Sequence, residues 1–82
     1  MLPVEVHLFA AAADRAGARS LTVLVPALAS LVELRQLLIQ TCPQLEPLAM
    51  ISRWAVDCEF VGEDFAITSD LSIAMIPPVS GG

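Results

Sequence analysis

The chain has 82 residues, 56% of them hydrophobic, and a formal net charge of −5. That length allows one domain, near the lower limit for folding without staples, and the apolar share predicts a filled core with apolar surface left over for a partner. The charge balance excludes a nucleic-acid binder: lysine is absent, and Arg15, Arg19, Arg35 and Arg53 do not make the basic patch that phosphates require.

No apolar run approaches the ~18–20 residues of a membrane span. The N-terminus, Met1-Leu2-Pro3-Val4-Glu5, lacks the basic start and long apolar stretch of a signal peptide. A cytoplasmic protein with no membrane partner is expected. From the N-terminus, Val4 to Phe9 alternates, with Val4, Val6 and Leu8 on one face and Glu5, His7 and Phe9 on the other, which predicts a strand. The alanine-rich run Ala10 to Ala16 predicts a helix of about two turns, stopped by Gly17 in the left-handed cap position. Leu21 to Val25 predicts a second strand ended by Pro26, with Leu21, Val23 and Val25 toward the core.

Ser30-Leu31-Val32-Glu33 has the form of a capping box. Leu31, Leu34, Leu38 and either Thr41 or Cys42 follow at helical spacing, with Glu33, Gln36 and Gln40 outward. This is the expected main helix, ended by Pro43. Gln44 to Ser52 reads as a connector. Arg53 to Asp57 reads as a strand, and Cys58 to Val61 as its turn and return. Gly62-Glu63-Asp64 reads as a loop, Asp64 to Asp70 shows little regularity, and Leu71 to Ile76 predicts the last strand. The order gives an α+β fold: about four strands in a mixed sheet over one main helix, with a short extra helix after the first strand. The first and last strands would lie side by side at the sheet centre.

Few side chains suggest chemistry. Cys42 and Cys58 fit neither a zinc pattern nor a redox pair, and read as buried apolar thiols. His7 is the single histidine, so no metal site of ordinary type is expected. Trp54 reads as packing. Asp57, Glu59, Glu63, Asp64 and Asp70 make the later half acidic, which reads as a solvated face or as steering toward a basic partner.

The informative stretch is Pro77-Pro78-Val79-Ser80-Gly81-Gly82. A bare Gly-Gly ending also fits a frayed end or a cloning scar. Here two prolines, which fix φ and cannot continue a ladder, follow the apolar run Leu71 to Ile76 without polar filler. Two glycines then slim the end. Extended, the segment reaches roughly 17–20 Å. The expected division is a body over 1–76 and an extended tail over 77–82 that presents the Gly82 carboxylate.

The ending Ile76 to Gly82 resembles the signature of the small subunits of molybdopterin synthase, the MoaD-type sulfur carriers of the ubiquitin-like β-grasp fold. Leu8-Phe9-Ala10 with Arg15-Ala16-Gly17, Ala29 to Leu34, and Ala55 to Phe60 resemble other parts of that family. Before the last strand the family usually has an Asp-Gly-Asp-Glu-like turn, where this chain has Thr68-Ser69-Asp70-Leu71-Ser72.

The resemblance implies a sulfur donor rather than a catalyst. An ATP-dependent adenylyltransferase, the activating enzyme, would adenylate Gly82. A sulfurtransferase or cysteine desulfurase would supply sulfur, leaving a thiocarboxylate covalently on Gly82. Pro77, Pro78, Val79, Ser80 and Gly81 would bind in the channel of the large synthase subunit, where the catalytic side chains are expected. Two such sulfurs would convert cyclic pyranopterin monophosphate to the molybdopterin dithiolene. No bound cofactor is expected in this chain, and the family suggests a heterotetramer with one carrier at each end of a large-subunit dimer. The alternatives are a carrier for thiazole formation or tRNA thiolation, a ubiquitin-like protein modifier, and an interaction domain with an inert tail.

Overall fold

The computed structural model describes residues 1–68 and 71–78. Five strands form one mixed sheet: β1 (Leu2–Leu8), β2 (Ser20–Val25), β3 (Arg53–Val56), β4 (Glu59–Val61) and β5 (Leu71–Ile76). Their order across the sheet is β2-β1-β5-β3-β4. β1 runs parallel to β5 and antiparallel to β2, while β3 is antiparallel to both β4 and β5. The first and last strands are therefore neighbours, as the sequence suggests, and β5 is the central strand. The sheet has one strand more than the expected count of about four, because the return after Cys58 is long enough to pair.

Among the described residues three α-helices join the strands: α1 (Ala11–Ala16), α2 (Leu31–Thr41) and α3 (Glu46–Ala49). Gly17 ends α1 at φ 70°, and its N–H donates to the Ala13 carbonyl. The left-handed backbone explains the glycine there, since any Cβ is strained at that angle. The capping box at α2 is present in full. The Glu33 N–H donates to Ser30 Oγ at 3.2 Å, and the Ser30 N–H donates to Glu33 Oε1 at 3.4 Å. Cys42, not Thr41, completes the buried stripe of Leu31, Leu34 and Leu38.

The stretch read as a connector is helical. A 3-10 turn at Pro43–Leu45 leads into α3, and together they bury Leu45 and Ala49 completely. Proline at the first turn of each piece costs no hydrogen bond, because the first N–H groups of a helix have no partner anyway. After β4, the irregular stretch is held by backbone bonds rather than by periodicity. Leu28 N–H donates to the Ile67 carbonyl at 2.7 Å, and Ile67 N–H donates to the Ala29 carbonyl at 2.9 Å. The bonds carry Ile67 into the core, and Arg35 on α2 pairs with Glu63 at 3.3 Å.

The core lies between the inner face of the sheet and the helices. Val4, Val6 and Leu8 meet Val23, Val25, Ile73, Met75 and Trp54, all buried, with Leu21 only partly so. Trp54 packs as the sequence suggests, its indole N–H having no hydrogen-bond partner among the described residues. Among the described residues no helix is long and apolar enough to cross a membrane.

Candidate functional site

The site begins where β5 ends. Because β5 is central, its last residues are clamped on both sides: Met75 pairs with Leu8 of β1 and Trp54 of β3, and Ile76 pairs with Arg53. Pro77 is buried and Pro78 exposed, so the chain leaves the body between them. Val79, Ser80, Gly81 and Gly82, the rest of the expected channel segment, lie outside the described residues, as do Ser69 and Asp70 of the turn before β5.

Around this exit the outer face of the sheet carries an unusual row. His7, Ala74, Ala55 and Phe60 stand opposite one another across β1, β5, β3 and β4. Side chains on one face of a sheet line up this way because the strand period is two. With alanines in the middle, the row sinks between an imidazole and a phenyl ring. Ser72 and Ile76 flank Ala74 on β5, and Phe9 stands beyond His7. Together with Asp57 and Cys58 they enclose an open depression of about 490 Å³. Phe9 and Phe60 are 50% and 55% exposed, which is a large apolar area to leave in water on so small a body.

Charged side chains stand on the same face, although Asp57 alone of the Asp, Glu and Arg residues described lines the depression itself. The Arg53 guanidinium lies over the Phe60 ring, 3.9 Å from its centroid, and so holds the ring in place while covering one side of it. His7 Nε2 is 3.4 Å from Glu5 Oε1 on the same face, with both side chains partly exposed. Asp57 and Cys58 form the tip of the β3–β4 hairpin. Cys58 is exposed there, contrary to its reading as a buried thiol. The cause is the two-residue loop. Val56 pairs with Glu59, and the two intervening residues form a tight hairpin turn with left-handed backbone at both, φ 51° and 66°, exposed at its tip. Cys42 is buried as expected.

Among the described residues the His7–Glu5 pair is half exposed to solvent, and no nucleophile is hydrogen-bonded to it. The arrangement is an open, largely apolar depression on the face of the sheet from which β5 leads out. Phe9 was visible in the sequence as an apolar residue on the polar side of its strand. The small residues Ala55, Ser72 and Ala74 carried no signal until the pairing brought them together.

Residues 6–82 match the ThiS family. The chain belongs to that family. Two molybdopterin synthase sulfur carrier subunits, from Caenorhabditis briggsae and Caenorhabditis elegans, are 36% and 30% identical to it over 84 residues, covering all of this chain and all of each relative. The resemblance read from the C-terminal motif is thus borne out along the whole length. Among solved structures, SAMP1 from Haloferax volcanii superimposes with a TM-score of 0.84 at 26% identity, covering 98% of this chain and 99% of that one. A putative molybdopterin converting factor subunit 1 from Pyrococcus furiosus gives 0.83 at 18% identity, over 96% and 100%, a likeness of fold alone. The fold of this ThiS-family chain is the ubiquitin-like β-grasp.

Proposed function

We propose that this chain is the sulfur-carrier small subunit of a molybdopterin synthase and works in the cytoplasm. The observation that carries the reading is the full-length match to relatives of that name, in a chain whose Pro77-Pro78-Val79-Ser80-Gly81-Gly82 segment is rooted on the central strand. The outer-face depression supports it, because a carrier that delivers its end into another protein needs a surface on which that protein can sit.

The chemistry follows from the carboxylate. Direct attack on a carboxylate adds charge to a group that is already anionic. An activating enzyme removes that obstacle: a Gly82 carboxylate oxygen attacks the α-phosphate of ATP, and pyrophosphate leaves. A sulfide or persulfide sulfur from a sulfurtransferase or cysteine desulfurase then attacks the acyl carbon. AMP leaves with the former carboxylate oxygen; sulfide gives the thiocarboxylate on Gly82 directly, whereas a persulfide gives an acyl disulfide, from which a second thiol, attacking the donor's sulfur and forming a disulfide with it, releases the thiocarboxylate. Docking on the large subunit threads residues 77–82 into its active site, where side chains of that subunit handle the pterin. Pro77 and Pro78 limit the entropy lost on threading, and Gly81 keeps the approach narrow. Two carriers on a large-subunit dimer complete the assembly.

The test is reconstitution with the activating enzyme, ATP and a sulfur donor. Intact-mass spectrometry should show the gain expected when one oxygen becomes sulfur, and the charged protein should convert cyclic pyranopterin monophosphate in the presence of the large subunit. Gly81→Ala should lower that transfer by about a hundredfold, the scale of a misplaced reacting group, with the thermal melt unchanged. Residues added after Gly82 should abolish it. Near-normal transfer by either protein would refute the threading step.

The likeness to SAMP1, a small archaeal modifier protein, favours a second reading, in which Gly82 is joined to lysines of target proteins. Higher-mass conjugates, formed with ATP and activating enzyme without any thiocarboxylate intermediate serving the pterin, would favour it. Carriers for thiazole formation or tRNA thiolation are separated by supplying those acceptors to the charged protein.

A further inference from the structure

The sheet has two edges, and they are built differently. β4 is three residues long and includes Glu59, with Asp57, Glu63 and Asp64 close by in sequence. Short length and charge are the usual protections of an edge. β2 has neither. Its six residues, Ser20-Leu21-Thr22-Val23-Leu24-Val25, contain no charge and no proline, and Leu24 is 56% exposed.

The register shows which backbone groups β2 leaves open. Leu8 N–H donates to the Arg19 carbonyl at 2.8 Å, so those opposite residues form a hydrogen-bonded pair. In an antiparallel ladder such pairs alternate. Leu21, Val23 and Val25, opposite Val6, Val4 and Leu2, therefore turn their N–H and C=O groups toward β1. Ser20, Thr22 and Leu24 turn theirs outward, where no described residue meets them.

We propose that β2 pairs antiparallel with β2 of a second copy, joining two sheets edge to edge about a two-fold axis at Thr22. The outward groups recur at every second residue, so a two-fold placing Thr22 opposite Thr22 also puts Ser20 opposite Leu24, and each of these pairs exchanges both of its backbone bonds. On the outer face Thr22 meets Thr22 and Leu24 meets Ser20. On the inner face Leu21 meets Val23. No like charges face each other in this register, although the chain as a whole carries −5. The groove beside β2 is likewise uncharged, lined by Thr22, Val23, Leu24, Leu37, Gln40 and Thr41. The other edge would bring acidic side chains of the two copies together. The two-fold runs through the sheet, so both α2 helices lie on the same side. The pairing also leaves Pro78 and the outer-face depression free, since these lie on β1, β5 and β3.

Sedimentation of the full chain over a concentration series tests the pairing. A small interface of this kind should dissociate at roughly 0.1–1 mM. Thr22→Lys and, as a second variant, Leu24→Lys should each weaken it about tenfold or more by putting like charges at the edge, with melts like the parent's. Phe60→Lys on the opposite edge should leave it unchanged. Amide exchange gives an independent signature: the Ser20, Thr22 and Leu24 amides should slow as concentration rises, while those of Leu21 and Val23 are protected throughout. A chain that stays monomeric to about 1 mM, an association untouched by both β2 variants, or one abolished by Phe60→Lys would overturn the proposal.

Discussion

The two faces of the sheet come from the same strands but from different kinds of residue. The inner face is set by Val4, Val6, Leu8, Ile73 and Met75, all at or near zero exposure. The outer face, one residue along in each strand, holds Glu5, His7, Ser72, Ala74 and Ala55, with Phe9 and Phe60 at its margins. On the inner face each methyl group removed leaves a void. On the outer face bulk is missing already, and a partner can supply it. The contrast separates what keeps the body folded from what the body offers to others, and adjacent residues on one strand can test it.

Ile73 and Ala74 give the sharpest test. Ile73→Ala should destabilise the fold by about 2–5 kcal/mol and lower the melting temperature by more than about 10 °C, as read by circular dichroism. Ala74→Arg should change stability by less than about 0.5 kcal/mol, yet fill the depression and weaken binding to the large subunit at least about tenfold by calorimetry. If Ala74→Arg binds normally, the outer face is not where the partner sits. Next in size is Phe60→Ala, which removes the ring under Arg53. It should cost about tenfold in affinity, with a melt within a few degrees of the parent's. The smallest effect belongs to the hairpin tip. Cys58→Gly relieves a left-handed backbone at a non-glycine residue, and should raise stability by up to about 1 kcal/mol, read as a small rise in the melting temperature.

Much of the inner face was legible because burial imposes a period. Val4-Glu5-Val6-His7-Leu8 declares its faces by alternation, and Ser30 with Glu33 marks the start of α2 through a local pair of bonds. Gly17 is equally local. The helical turns between Pro43 and Ala49 were not legible, because each is about one turn long and is held by burying Leu45 and Ala49 rather than by a repeating stripe. The exposure of Cys58 was hidden for a related reason. Thiols favour burial as a class, but a two-residue loop in the Val56–Glu59 register overrides that preference. The outer-face row depends on cross-strand neighbours far apart in sequence, such as His7 and Ala74, and no window of the chain contains it. The C-terminal motif was plain in sequence, and its lead-in through Ile76, Pro77 and Pro78 gains meaning from the strand on which it is anchored.

That anchoring has a mechanical side. A strand at the rim of a sheet can be peeled away bond by bond, but β5 is gripped by β1 and β3 along both flanks. Tension applied beyond Pro78 loads those ladders together, in shear. A body built this way can be hauled by its end, or held by it while a partner lets go, without unravelling from the point of attachment.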